Sequence, residues 1–130
     1  MKSIKQAETY DGFGYELPID LGGIPYGEFV QKLAKDMENP TLDLLHAAVG
    51  VSGEAGELLD AVKKYWVYGK PLDVDNVVEE LGDLMFYMQM VMMMIGKNQT
   101  EVIEHNIQKL YKRYASRIYS DAQATARADK

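Results

Sequence analysis

Residues 54–83 read EAGELLDAVKKYWVYGKPLDVDNVVEELGD, and this stretch decides how the rest of the chain is arranged. It carries two acidic pairs, Glu54-Ala55-Gly56-Glu57 and Glu80-Leu81-Gly82-Asp83, each with its carboxylates three residues apart. In helical sequence that spacing puts both acids of a pair on one face, one turn apart. Between the pairs, Tyr68-Gly69-Lys70-Pro71 is a turn signal that lets two helices fold back antiparallel. Glu54, Glu57, Glu80 and Asp83 then converge. Two carboxylates about 5 Å apart repel by roughly 3 kcal/mol at an effective dielectric of about 20. Four of them beside an apolar wall would raise their own pKa values unless a cation neutralised them. Magnesium and manganese favour such oxygen ligands, and a site of this kind suits phosphate chemistry.

Working outward, apolar periodicity predicts a first helix from Tyr26 to Met37, with Phe29, Val30, Leu33 and Met37 on its apolar side, stopped by Glu38-Asn39-Pro40. Thr41 is the expected N-cap of a second helix reaching Tyr68, whose stripe runs through Leu44, Leu45, Ala48, Val51, Ala55, Leu58, Leu59 and Val62. Gly50, Gly53 and Gly56 recur on it at intervals of three. An interior glycine costs a helix about 1 kcal/mol relative to alanine, so they mark either a close approach of another backbone or a break. Asp73 is the expected cap of a third helix ending near Ile95, with Val77, Leu81, Leu84, Met88, Val91 and Ile95 as its apolar stripe. A second stripe, Asn76, Glu80, Asp83, Tyr87, Met90 and Met94, lies about 100° around the same helix. After Phe86 the third helix is apolar on nearly every side, a pattern of burial all round. In so short a chain that implies cover from a second subunit.

A fourth helix is expected from a Thr100 cap to Arg117, burying Val102, Ile103, Ile107, Leu110, Tyr111 and Tyr114 and carrying Asn106, Lys109 and Arg113 together on another face. The architecture that follows is all-α, an antiparallel helical bundle of about four helices, completed by oligomerisation. Residues 1–25 read as an irregular, turn-rich arm whose Tyr10, Phe13 and Tyr15 pack on the domain surface or on a neighbouring subunit; residues 119–130 read as a flexible tail.

Composition narrows the partners. The net charge of −6 opposes nucleic-acid and anionic-membrane binding, both of which need a basic surface. The absence of cysteine removes thiolate zinc sites and fits a reducing compartment. Met1-Lys2-Ser3-Ile4-Lys5 leads into no apolar h-region, so no secretory signal is read, and Leu84 to Ile95 is too short to span a bilayer. The expectation is a cytoplasmic protein, and the charge does not exclude a small anionic ligand, which needs only local cations or bound metal ions.

The run from Leu44 to Leu58, LLHAAVGVSGEAGEL, followed by Glu79-Glu80-Leu81-Gly82-Asp83-Leu84, resembles the MazG-like, all-α nucleoside triphosphate pyrophosphohydrolases, whose signature is ExxE, a linker and ExxD. Asn106 to Tyr114, NIQKLYKRY, is similar to the final-helix pattern of that family, and the likeness covers about Leu42 to Tyr114. It implies a helical catalytic domain over 26–118 that cleaves a nucleoside triphosphate, often a deoxy form, to the monophosphate and pyrophosphate with Mg2+, Mn2+ being a possible substitute. By motif position it makes Glu54, Glu57, Glu80 and Asp83 the catalytic, metal-binding carboxylates, and Glu57 a candidate to orient or deprotonate the attacking water. It places Asn106, Lys109 and Arg113 near phosphate or sugar, and it implies a homodimer or homotetramer whose site draws on more than one subunit.

Four further residues are candidates for the substrate pocket. Tyr87 lies one turn past Asp83 on the same stripe, and His46 lies two turns before Glu54, as a pocket donor or a structural histidine. Lys64 meets the triphosphate or is solvated; Trp66, beside Tyr65 and Tyr68, stacks on a base or packs on the linker. Glu101 and Glu104 repeat the three-residue spacing but read as a solvated face. A di-iron bundle would need Glu-x-x-His, and neither His46 nor His105 follows a glutamate by three. A non-enzymatic helical interaction module would explain the methionines but not the acidic pairs, and a phosphoribosyl-ATP pyrophosphohydrolase is an alternative within the enzyme class.

Overall fold

The computed structural model describes residues 25–130; the arm read over residues 1–25 lies outside them except for Pro25. Every regular element among the described residues is helical: α1 (Tyr26–Leu33), α2 (Pro40–Tyr68), α3 (Val74–Met94), α4 (Gln99–Arg113) and α5 (Asp121–Ala126). The described residues form two compact units, 25–98 and Gln99–Lys130.

In the first unit α1 ends at Leu33 rather than at Met37, and Ala34 is already extended. The cause is competition for backbone donors. Met37 donates its N–H to Asp43 at 2.7 Å and Glu38 donates to Asp36 at 2.8 Å, so these side chains satisfy the connection without further helix. Asp43 is fully buried. Its carboxylate anchors the α1–α2 connection to the first turn of α2.

Asn39-Pro40, read as a stop for α1, is the start of α2. Asn39 is the N-cap, accepting from the N–H groups of Thr41 and Leu42 at 3.0 and 3.1 Å, and Pro40 sits where a missing N–H costs nothing. The cap therefore falls two residues before Thr41. No break occurs at Gly50, Gly53 or Gly56, and α2 runs unbroken to Tyr68. Gly69 then turns the chain in a left-handed conformation, φ +60°, and Asp73 caps α3 by accepting from Asn76 N–H at 3.0 Å.

The two long helices pack antiparallel, since His46 and Gly50 meet Tyr87 whereas Glu54 meets Glu80 and Asp83. The α2 face turned inward includes Asp43, Ala47, Gly50, Glu54, Leu58 and Ala61, all buried or half-buried. Val30, Ala34, Ala47, Met90, Met93 and Met94 form the core, flanked by Tyr26, Phe29, Leu44, Phe86, Tyr87 and Val91.

On α3 the phase differs from the expected one. Leu81, Met88 and Ile95 of the apolar stripe stand 44%, 42% and 52% exposed, whereas Met90 and Met94 of the acid-bearing stripe are buried. The inward rotation is thus set by the stripe that carries Glu80 and Asp83. It leaves a run of large apolar side chains uncovered in the single chain.

The second unit holds α4 and α5. No residue of α4 is buried, and Val102, Ile103, Ile107, Leu110 and Tyr111, expected on its buried side, are exposed. The helix ends at Arg113 rather than Arg117. Residues 119–130, expected as a flexible tail, contain α5, whose first turn is capped by Ser120 accepting from Gln123 N–H at 3.2 Å.

Candidate metal centre

Antiparallel packing brings one acid of the first pair and both acids of the second to one place. Glu54 of α2 and Glu80 and Asp83 of α3 each offer a carboxylate oxygen, and the three oxygens lie within 4.8 Å of one another. Glu54 and Glu80 are half-buried and Asp83 is exposed, so the group sits at a margin, with protein on one side and room for a ligand on the other. A hard divalent cation fits this donor set: all oxygen, anionic, and contributed by two elements rather than one.

The electrostatics carry the mark of that crowding. Partial burial pushes the Glu80 carboxyl above the usual carboxylate range, and the charges of Glu54, Glu57, Glu79 and Asp83 push it the same way. Glu57 itself is exposed and lies outside the group of three. Its charge is nevertheless felt at Glu80, so it belongs to the same field without sharing the same point.

The aromatic wall beside the acids is built around Tyr87. Its ring meets His46 edge-on at 6.1 Å between centroids, and Phe86 edge-on at 5.5 Å. Gly50 is what admits it, because a Cβ built there would overlap the Tyr87 ring. Of the three α2 glycines only this one answers to a close approach, and a side chain makes it; a Cβ at Gly53 or Gly56 would meet nothing. Gly50→Ala is therefore expected to lower the thermal midpoint: overpacking costs about 1–3 kcal/mol, against about 1 kcal/mol gained from helix propensity. Adding Tyr87→Leu should restore part of the loss in a double-mutant cycle, and an unchanged midpoint for Gly50→Ala alone would refute the close packing.

Other sequence candidates stand elsewhere. Lys64 pairs with Asp60 at 3.1 Å, one turn back on its own helix, with both side chains about half exposed, so solvent screens the pair. Trp66 is 81% exposed and begins about 18 Å along the axis from Glu54. Lys64 also lies within the field of Glu57: the bond to Asp60 raises its pKa, and the charge of Glu57 adds to the shift. Asn106, Lys109 and Arg113 belong to α4 in the second unit, where Asn106 and Lys109 are exposed and Arg113 is bonded to Asp129.

Tyr26 carries no sequence signal that ties it to the acidic group. Burial raises the pKa of its hydroxyl, and the charge of Asp83 adds to the shift, so α1 begins within the field of the acidic group. No periodic signal could connect positions so far apart in the chain.

A family model described as MazG nucleotide pyrophosphohydrolase domain matches residues 44–118, more than half of the chain, and spans all the acidic residues of the site. Comparisons with curated proteins and with solved structures gave no match.

Proposed function

The chain belongs to the MazG nucleotide pyrophosphohydrolase family, and from that premise we propose that it hydrolyses a nucleoside triphosphate, ribo or deoxy, to the monophosphate and pyrophosphate, with Mg2+ as the cation and Mn2+ as a substitute. The observation that carries this reading is the meeting of three carboxylate oxygens from two antiparallel helices within 4.8 Å. An interaction module has no use for such a concentration of charge, which works against folding unless a cation is bound.

Glu54, Glu80 and Asp83 would hold the cation, which would supply charge neutralisation at phosphate oxygens and a more acidic water. Glu57, exposed and outside the three-oxygen group, remains available to orient the attacking water or accept its proton. That water adds to phosphorus at the α–β anhydride while the bridging P–O bond breaks and pyrophosphate leaves. Tyr87 and His46 form the aromatic wall for the nucleoside, and Asn106, Lys109 and Arg113 are the proposed contacts to phosphate or sugar.

The protein works as a homodimer or homotetramer in this reading. The uncovered apolar side chains of α2 and α3, from Leu59 and Val62 to Leu81, Met88 and Ile95, form the surface that a second copy covers. In this reading Lys64, within the field of Glu57, is a proposed triphosphate contact, and Trp66 would serve a partner's site. Among the described residues no helix is long and apolar enough to cross a membrane; a cytoplasmic setting, where nucleotide pools are, is part of the proposal.

A panel of ribo- and deoxynucleoside triphosphates with Mg2+, with products resolved, tests the activity. Monophosphate with pyrophosphate is the expected pair. Diphosphate with inorganic phosphate, or no turnover of any triphosphate, would refute the proposed cleavage.

A further inference from the structure

Beyond α4 the chain turns back and closes on Arg113. The guanidinium donates Nε–H to one Asp129 oxygen at 2.6 Å and an Nη2 hydrogen to the other at 2.8 Å. This is the fork-to-fork geometry in which arginine recognises a carboxylate or a phosphate. The Asp129 side chain is 0% exposed in this pair, while the residue as a whole is half-buried.

The intervening residues are built to deliver it. Ser120 caps α5, Arg127 terminates it in a left-handed conformation at φ +49°, and α5 packs back on α4. Tyr119 donates its hydroxyl hydrogen to Asp121 at 2.7 Å, the Tyr114 and Tyr119 rings lie 5.7 Å apart, and Arg117 sits 4.5 Å over the Tyr111 ring. Asp129 thus arrives at Arg113 through a defined path of contacts.

We propose that the segment 121–130 is an intramolecular competitor at Arg113, its Asp129 carboxylate holding the guanidinium until phosphate oxygens of the substrate displace it. This deepens the reading above and rests on it, since it takes Arg113 to be a phosphate contact. The carboxylate and a phosphate oxygen pair present the same acceptors to the same fork, so the two cannot be bound together. Apparent substrate affinity is reduced by the fraction of molecules in which the clasp is open. Removing the carboxylate's charge should recover that factor.

Asp129→Asn in the full chain keeps the shape and removes the charge. The expected result is a KM lower by roughly five- to tenfold with kcat little changed, for the triphosphate turned over fastest in the panel. In an Arg113→Gln background the same substitution should leave KM unaltered. Backbone amides of residues 121–129 should exchange faster when inorganic tripolyphosphate and Mg2+ are added to the wild-type chain, which a purely structural ion pair would not do. An unchanged or raised KM for Asp129→Asn, or tail exchange indifferent to tripolyphosphate, overturns the proposal. If Arg113→Gln leaves KM unchanged while pyrophosphate is still released, the clasp falls and the activity stands. If no triphosphate is turned over, the activity reading falls, and tripolyphosphate-induced exchange alone decides the clasp.

Discussion

Glu80→Gln is expected to reduce kcat/KM by about a thousandfold or more while raising the thermal midpoint of the metal-free protein at neutral pH. The first effect follows from removing one of three anionic oxygens, because charge stabilisation of a phosphoryl transition state by a bound cation accounts for several powers of ten in rate. The second follows from the direction of the Glu80 shift, which burial and then the neighbouring Glu54, Glu57, Glu79 and Asp83 push upward. A carboxyl whose pKa is higher in the folded state favours folding fully below its ordinary value. That contribution is lost as pH rises through the raised value. Metal-free wild-type protein should therefore gain stability relative to Glu80→Gln as pH falls from neutrality through the raised pKa, and Mg2+ at neutral pH should close the same gap. Thermal melts across pH, with and without Mg2+, measure both. A metal-free Glu80→Gln protein that melts at or below wild type at pH 7 would show that the carboxylates are not crowded at all.

The second large effect concerns Leu59, which is 68% exposed in the single chain. A surface substitution of that kind normally changes stability by no more than about 0.5 kcal/mol. If a second copy covers the α2–α3 face, Leu59→Asp instead buries a charge without a partner, a change of several kcal/mol. The expected outcome is dissociation to monomers in analytical ultracentrifugation, a midpoint lowered by many degrees, and loss of most pyrophosphate release. A Leu59→Asp protein with wild-type mass and midpoint would mean that this face is open to water and that the exposed apolar stripe of α3 needs another explanation.

The parts of this structure visible in the sequence are those fixed by local chemistry. Tyr68-Gly69-Lys70-Pro71 announced the hairpin because only a residue tolerant of φ near +60° ends α2 in that way. Asp73 announced the start of α3, and the spacing of the acids placed Glu54, Glu80 and Asp83 together once the helices were antiparallel. The phase of α3 was not legible. The stripe Val77, Leu81, Leu84, Met88, Val91 and Ile95 is the more apolar of the two, yet packing against Ala47 and Gly50 turned inward the one that carries the acids with Tyr87, Met90 and Met94. Long-range partnerships were equally hidden: Asp43 with the Met37 N–H, Tyr26 with the field of Asp83, and Arg113 with Asp129 depend on where the chain returns. Asn39 was misread because Asn-Pro both ends one helix and begins another, and only the cap hydrogen bonds distinguish the two.

The most direct test of the account is a crystal of the protein soaked with Mn2+ and measured for anomalous scattering. One or more Mn2+ peaks in contact with carboxylate oxygens of Glu54, Glu80 and Asp83 together, linking α2 to α3, is the predicted result. Strong Mn2+ peaks only at other positions, with these three side chains pointing apart into solvent, would contradict it.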